Sequence, residues 1–179
     1  MTADAVTRDT VTRSKWDSAA KSFDYLAFAD DRRFAPFKRR HFSKIVGETL
    51  LVAAGTGNDF KFFPPGHHIV GIDISPKMLE RAARKAGEYD GTIELREMDV
   101  CALDCPDDSF DTIATVCTFC SVPRPVDGLR ELNQSVSENL ALQHRTICDA
   151  ICARRPEEAR TAMQTHIDYV RSRFDAEDD

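Results

Sequence analysis

Residues 50–59 read LLVAAGTGND, an apolar run that ends in a glycine turn. The apolar residues predict a short buried strand over about 49–53, and a helix is expected after the turn. Gly55 and Gly57 lack a Cβ, so they can adopt positive φ and let a ligand approach the backbone. A lone Gly-x-Gly is weakly informative, because ordinary strand-to-helix turns also contain one.

A second apolar strand strengthens the interpretation of this turn. It covers about His68 to Asp73 and ends in a carboxylate. Gly55 and Asp73 are separated by 73 − 55 = 18 residues, close to the roughly 20 residues between a nucleotide-binding loop and a ribose-binding acid. The two features together predict a nucleotide-type site where the two strands end.

A helix signal and two further strands follow. Ser75-Pro76 supplies an N-cap and a first-turn proline for a helix that Gly87 ends. Residues 93–96 alternate apolar and charged side chains, as expected at a sheet edge, and Asp99 follows them. Residues 112–119 form an uncharged run, which predicts a strand of central character.

This alternation of strands and helices predicts an α/β fold. We expect a truncated Rossmann-like, doubly wound parallel sheet of about four strands in the order 3-2-1-4. N-terminal helices and a C-terminal helical pair would flank the sheet. Right-handed crossovers would place the loops after Val52, Ile72 and Met98 on one rim, where a ligand would bind.

The N-terminal region predicts a frayed polar tail over residues 1–13, followed by helices. Ser14-Lys15-Trp16-Asp17 is similar to a capping box, and apolar residues at helical spacing follow it. The basic run Lys38-Arg39-Arg40-His41 falls on a further helix. It has two interpretations, a solvated helix face or a phosphate-binding patch.

Composition and charge limit the classes of function. The chain has 179 residues, of which 42% are hydrophobic, and a formal net charge of −6, which gives no support for a nucleic-acid partner. No apolar run approaches the roughly 18 residues of a membrane span. Residues 1–13 also lack the apolar segment of a secretory signal. A cytoplasmic protein without a membrane span is therefore expected.

The six cysteines are expected to be free thiols, as is usual in the cytosol. Cys117-x-x-Cys120 has the spacing of half a zinc site, but it follows an apolar strand, and other cysteine pairs lie far off in sequence. Tetrahedral zinc sites normally show two such pairs in turns. No metal site is therefore predicted.

Four segments in order carry a family resemblance: 53–57 (AAGTG), 70–79 (VGIDISPKML), 98–100 (MDV) and 106–111 (PDDSFD). They are similar to the first, second and third motifs, and to the approach to the fourth strand, of class I S-adenosylmethionine-dependent methyltransferases. The ubiquinone/menaquinone-biosynthesis type is the most similar. The resemblance covers residues from about 16 to 132, and the order of the four segments makes it specific.

The resemblance implies S-adenosylmethionine as cofactor. The glycine loop would lie against its methionine part. Asp73 would accept hydrogen bonds from both ribose hydroxyls, and Ile74 and Met78 would flank the adenine. Asp99 would accept from the adenine amino group, and the Val100 N–H would donate to the ring. The implied cofactor-binding residues are Ala53, Gly55, Thr56, Gly57, Asp73, Ile74, Met78, Asp99 and Val100.

The implied reaction is methyl transfer to a nucleophilic atom of a small-molecule acceptor. Because the donor is already activated, the protein mainly supplies proximity and alignment, and no catalytic residue is predicted. Residues 20–24, AKSFD, are similar to an Ala-x-x-Tyr-Asp pattern on a helix that closes over the cofactor, with Phe23 lacking the hydroxyl. Leu51 stands where the family usually has an acid, and Glu48 lies three residues too early to replace it.

The sequence departs from this family after residue 132, where the family continues into three more strands. No strand-like run follows here, and a helical pattern replaces it. The predicted domains are therefore an incomplete methyltransferase domain, 1–133, and a helical tail, 134–179. Strand four would then expose an uncharged edge, through which the chain could associate with itself.

The tail contains residues 143–147 (QHRTI), 149–151 (DAI) and 156–160 (PEEAR), followed by Met163 and His166. These segments resemble the end of the FCD ligand-sensing domain of GntR-class transcription regulators. In that family two histidines, here His144 and His166, help to bind a divalent metal. The family's other ligands have no counterpart in this sequence, so packed histidines are the preferred interpretation. Three functions stay open: an active methyltransferase, an inactive or non-enzymatic chimera, and a metal-dependent sensor.

Overall fold

The computed structural model describes residues 3–135, 146–147 and 149–175, which form an α/β fold. The elements in chain order are α1 (Ala3–Phe42), β1 (Thr49–Val52), β2 (His68–Asp73), α2 (Pro76–Ala86), β3 (Thr92–Glu97), β4 (Thr112–Thr115), α3 (Pro125–Ser135) and α4 (Pro156–Asp175). Among these residues, no helix has both the length and the apolarity that crossing a bilayer requires.

The four strands form one parallel sheet in the predicted order, β3-β2-β1-β4. Val52, the last residue of β1, pairs with Ile72 on one side and with Thr115 on the other. The carboxyl ends of the strands therefore meet at one rim. β3 occupies one edge, where its side chains are exposed or half-buried, and β4 occupies the other.

Helices cover both faces of the sheet. Phe42 of α1 and Ala82 of α2 belong to the hydrophobic cluster on one face, and Leu132 of α3 belongs to the cluster on the other. Successive residues of β1 alternate between these clusters, with Leu50 in the second and Leu51 in the first. A strand that is buried on both faces reads as a continuous apolar run, as β1 does.

The N-terminal region differs from the prediction. α1 is one helix of 40 residues, rather than a frayed tail followed by separate helices. The predicted cap at Ser14 is wrong, because the Ser14 carbonyl accepts a hydrogen bond from Ser18 Oγ at 2.9 Å inside the helix. Pro36 also lies within α1. Helix α1 contacts the rest of the domain at several points along its length, as described below. These contacts override the local start and stop signals.

Two further elements are shorter than predicted. The helix expected after the glycine turn is a single 3-10 turn, Phe60–Phe62. Pro64-Pro65 follows at once, and proline cannot continue a helix. The fourth strand ends at Thr115 instead of Phe119, because Cys117 has a φ of 55°, which interrupts the extended backbone.

Helix α2 begins where the sequence predicted. Ser75 is its N-cap, and Ser75 Oγ accepts a hydrogen bond from the Met78 N–H at 3.2 Å. Pro76 occupies the first turn of the helix. A backbone N–H at this position would have no intrahelical acceptor, so proline costs the helix no hydrogen bond. The helix ends at Ala86, and the Gly87 that follows keeps a right-handed φ of −69°.

The tail is helical where the structure describes it, at residues 146–147 and 149–152 and in α4. His144 lies outside the described residues. In α4, the apolar side chains of Met163 and Ile167 are 43% and 40% exposed, so this helix is partly open to solvent. Within the described residues, no strand follows β4.

Candidate functional site

A cavity of about 710 Å³ lies at the rim where the strands end. Val52, Ile72 and Met98, which end or follow β1, β2 and β3, line it together with Val116 after β4. Doubly wound sheets usually bind ligands in such a crevice outside the carboxyl ends of their strands. The volume lies in the range of about 300–1,000 Å³ that is typical of small-molecule sites.

Most of the predicted cofactor residues meet in this cavity. Those that line it are Ala53, Gly55, Thr56, Asp73, Ile74, Met78, Asp99 and Val100. Gly57, the ninth, lines a neighbouring cavity of about 470 Å³ instead. A Cβ at Gly57 would lie 2.6 Å from the Phe60 ring and 3.1 Å from the Ala82 backbone. Gly57 is therefore required where the loop packs closely against α2.

The glycine loop is joined directly to β2. The Gly55 N–H donates to Asp73 Oδ2, and the Ala54 N–H donates to the Ile72 carbonyl, both at 2.9 Å. The 18-residue spacing seen in the sequence thus corresponds to a hydrogen bond between the two segments. Ala53 and Gly55 both have positive φ, 58° and 56°, a conformation that costs an alanine about 1–2 kcal/mol.

Asp73 is a buried carboxylate, 8% exposed, at the end of β2. Its Oδ1 accepts the Ser75 N–H at 2.9 Å, in addition to the bond from Gly55 to Oδ2. Burial raises the pKa of Asp73, and the hydrogen bonds from the backbone partly oppose this rise. Each carboxylate oxygen has about two acceptor positions, so one on each oxygen is left for a ligand.

Asp99, after β3, is more accessible. Its Oδ1 accepts the Cys101 N–H at 2.8 Å, and its Oδ2 lies 3.5 Å from Arg124 Nη2. The side chain remains 23% exposed and lines the cavity. It therefore closes a turn and can still accept a hydrogen bond from a ligand.

Leu51, where the family resemblance implied an acid, is a core residue. It is 2% exposed and belongs to the same cluster as Phe42 and Ile45. Glu48 does not reach the rim, because its carboxylate contacts His68 Nδ1 at the opposite end of the sheet. The described part of β1 therefore supplies no carboxylate to the cavity.

One face of α1 also lines the cavity. The residues on this face are Thr12, Trp16, Phe23, Arg33, Phe34 and Lys38. Apart from Arg33, successive members are 4, 7, 11 and 4 residues apart, close to whole helical turns of about 3.6 residues. This spacing is visible in the sequence, but it identifies one cavity-facing side only when α1 is a continuous helix, and the sequence predicted separate helices.

Ion pairs attach α1 to α2 beside the cavity. Asp17 Oδ1 accepts a hydrogen bond from Ser75 Oγ at 2.6 Å, which lowers the pKa of Asp17. Asp24 pairs with Arg81 at 2.6 Å and with Lys85 at 2.8 Å. Although partial burial opposes the change, hydrogen bonds, led by the one from Lys85, lower the pKa of Asp24 to about 2.

The other candidate ligands do not form a metal centre among the described residues. Within 3–135, 146–147 and 149–175, no three His, Cys, Asp or Glu side chains are grouped as metal ligands would be. Cys117 and Cys120 are exposed free thiols, and Cys120 Sγ lies 3.2 Å from the Cys117 carbonyl. His144, one of the two predicted histidines, lies outside the described residues.

The chain matches known methyltransferases in sequence. A family model for a methyltransferase domain matches residues 50–139. Phosphatidylethanolamine N-methyltransferase of Cereibacter sphaeroides is 34% identical over 69% of this chain and 61% of its own length. Demethylmenaquinone methyltransferase of Deinococcus radiodurans is 37% identical over 46% of this chain and 36% of its own length. The chain therefore spans less than two thirds of these relatives.

Solved structures share the fold of this chain. A candidate methyltransferase solved in complex with the Haloferax volcanii Trm112 methyltransferase activator superposes with a TM-score of 0.57 and 19% identity, over 70% of this chain and 56% of that one. The family match covers half of the chain and contains the glycine loop, Asp73 and Asp99. Because the matching model describes the methyltransferase domain, the chain belongs to the class I S-adenosylmethionine-dependent methyltransferases.

Proposed function

We propose that the cavity at the sheet rim binds S-adenosylmethionine and that the chain transfers its methyl group to a small-molecule acceptor. The observation that carries this proposal is the meeting of the glycine loop, Asp73 and Asp99 in one cavity of about 710 Å³. Membership of the family implies the same methyl donor.

The residues of the cavity fit this cofactor. A Cβ built at Gly55 would have its nearest neighbour, the Phe23 ring, at 3.8 Å, so the loop backbone borders open space. Asp73 keeps one acceptor position on each oxygen, which suits two neighbouring ribose hydroxyls. Ile74 and Met78 line the same cavity and would flank the adenine ring.

The bound cofactor would supply a methyl group that is already activated on a sulfonium centre. The chain's own residues then bind, orient and exclude water. Asp73 fixes the ribose end, while the glycine loop fixes the methionine end. Trp16 and Phe23, whose rings meet edge to face at 6.1 Å, line the cavity from α1 and keep water away from the reacting atoms. Alignment of this kind is the main contribution a protein makes with an activated donor.

The acceptor is a small molecule whose class the similarities leave open. By their names, the two relatives above act on phosphatidylethanolamine and on demethylmenaquinone, which are chemically different molecules. The net charge of −6 supports an acceptor other than nucleic acid. A cytoplasmic location stays a prediction of the sequence.

Isothermal titration with S-adenosylmethionine tests the binding proposal. We expect saturable binding by the unmodified chain and a loss of at least about tenfold in affinity for Asp73→Asn, since the amide presents a donor where the ribose hydroxyls need acceptors. Asp168→Asn, on the exposed surface of α4 and outside the cavity lining, is the control and should bind normally. Absence of binding by the unmodified chain would refute the proposal and favour the inactive chimera.

We further propose the predicted domain arrangement, a methyltransferase domain over 1–133 and a helical tail over 134–179. Among the described residues, the cavity lining extends no further along the chain than Pro123. Met163 and Ile167 of α4 are exposed, whereas Ile147 and Ala150 are buried, which supports a tail whose last helix packs loosely. Limited proteolysis should release the tail and leave S-adenosylmethionine binding unchanged.

A further inference from the structure

We propose that the methyl acceptor is an amphiphile: its anionic group binds Arg33, and its apolar part packs on the aromatic side chains of α1. This inference rests on the proposed methyl transfer, because it describes the second ligand of the same cavity. It follows from the charges and the exposed rings that line the cavity on the α1 side.

Other charges that line the cavity already have partners. Lys38 Nζ lies 2.8 Å from Asp59 Oδ1, and both side chains are largely buried. Asp99 lies beside Arg124, and both oxygens of Asp73 accept backbone N–H groups. Lys38 could therefore bind a ligand anion only in competition with Asp59, and the two carboxylates, whose remaining acceptor positions suit the cofactor, would repel an anion.

Arg33 is different. Among the side chains that the structure describes, no carboxylate pairs with Arg33, and its guanidinium carbon lies 5.4 Å from the centre of the Phe34 ring. The residue is exposed and lines the cavity. A guanidinium offers a rigid set of donors that matches a carboxylate or phosphate in two parallel hydrogen bonds. An anionic group on a ligand would therefore fit Arg33.

The surface beside Arg33 is apolar. Phe23 and Phe34 line the cavity and are each 40% exposed, and Trp16 packs against Phe23. Covering exposed rings with a hydrocarbon group is favourable because it removes apolar area from water. An anion at Arg33 and hydrocarbon on these rings together describe an amphiphilic acceptor.

The methionine carboxylate of the cofactor is a competing partner for Arg33. Phe23, whose ring lies 3.8 Å from a Cβ built at Gly55, is ten residues before Arg33 on α1, or about 15 Å at about 1.5 Å per residue. However, Lys38, further along the same helix, contacts Asp59, which follows the glycine loop. The S-adenosylmethionine affinity of Arg33→Gln therefore decides between the two partners.

Trp16 is the chain's single tryptophan and lines the cavity, so its fluorescence reports ligand binding there. The probes are decanoate, decyl phosphate and decanol, each below its micelle concentration. We expect both anions to bind at least about tenfold more tightly than decanol. Arg33→Gln should bring the anions to the affinity of decanol and leave decanol and S-adenosylmethionine affinities unchanged. Arg33→Lys should keep part of the preference.

Lys21→Gln removes one positive charge from α1 outside the cavity and should change none of these affinities. Equal binding of decanoate, decyl phosphate and decanol to the unmodified chain would overturn the inference. So would an Arg33→Gln variant that loses S-adenosylmethionine affinity, since Arg33 would then bind the cofactor's carboxylate. Failure of the unmodified chain to bind S-adenosylmethionine would count against the proposed function, and it is measured separately by titration.

Discussion

At the scale of single residues, Ala53 is a strained position of the glycine loop. It has a φ of 58°, which an alanine adopts at a cost of about 1–2 kcal/mol. Glycine removes that cost. However, a glycine loses more conformational freedom on folding than an alanine does, which lowers the stability by about 0.5–1 kcal/mol. We therefore predict that Ala53→Gly raises the free energy of unfolding by about 0.5–1 kcal/mol, measured by urea denaturation.

The adjacent Ala54 is the matched control. Its φ is not positive, it is 7% exposed, and it belongs to a hydrophobic cluster. Ala54→Gly loses a buried methyl group and adds backbone freedom, so it should lower the free energy of unfolding by about 1 kcal/mol or more. If both substitutions shifted stability in the same direction, the left-handed backbone at Ala53 would not be the cause.

At the scale of elements, Asp24 is the main ionic contact between α1 and α2. Its pKa of about 2 in the folded protein lies below its ordinary value of 3.8. The stabilisation is therefore fully present above about pH 4 and is lost as the pH falls through 2. The difference of nearly two pKa units corresponds to at most about 2 kcal/mol, because solvent and salt weaken a partly exposed pair.

We predict that Asp24→Asn lowers the free energy of unfolding by about 1–2 kcal/mol at pH 7 and by progressively less as the pH approaches 2. Urea denaturation at several pH values measures this. Glu80→Gln, which breaks an exposed ion pair with Arg84, should have little effect at any pH. A pH-independent loss in Asp24→Asn would mean that packing, not charge, is responsible.

The elements also show what a sequence can predict. The loop, Asp73 and the cap at Ser75 were predicted because each rests on a local signal: an apolar run, a glycine turn, or a serine before a proline. The continuity of α1 was not predicted, because Ser14 is a local start signal and Pro36 a local stop signal for a helix. Tertiary contacts override both signals. Of the six cavity residues of α1, Phe23 lies in the segment that the family resemblance placed over the cofactor, and the other five were missed because their role depends on where the helix packs.

At the scale of the whole molecule, the two edges of the sheet differ. The β3 edge carries Glu94, Arg96 and Glu97, and such charges discourage pairing with another strand. β4, with the sequence TIAT, carries no charge, and within the described residues no strand pairs with its outer side. We propose that the chain associates with a second copy through this edge.

Backbone alternation identifies the groups that would pair. The Thr112 N–H donates inward to the Glu48 carbonyl, so the N–H groups of Ile113 and Thr115 point outward. Thr115→Pro removes one outward donor at the end of β4, a position where an edge strand tolerates proline. We predict concentration-dependent dimerisation of the unmodified chain in sedimentation velocity, and a monomer for Thr115→Pro with unchanged circular dichroism.

Glu97→Pro is the matched control on the opposite edge. Glu97 is the last residue of β3, as Thr115 is of β4. Since the Met98 N–H donates inward to the Asp73 carbonyl, the Glu97 N–H also points outward. This variant should dimerise like the unmodified chain, because the charged β3 edge is not the proposed interface. A chain that stays monomeric at high concentration, or dimers that Glu97→Pro disrupts and Thr115→Pro does not, would rule out association through β4.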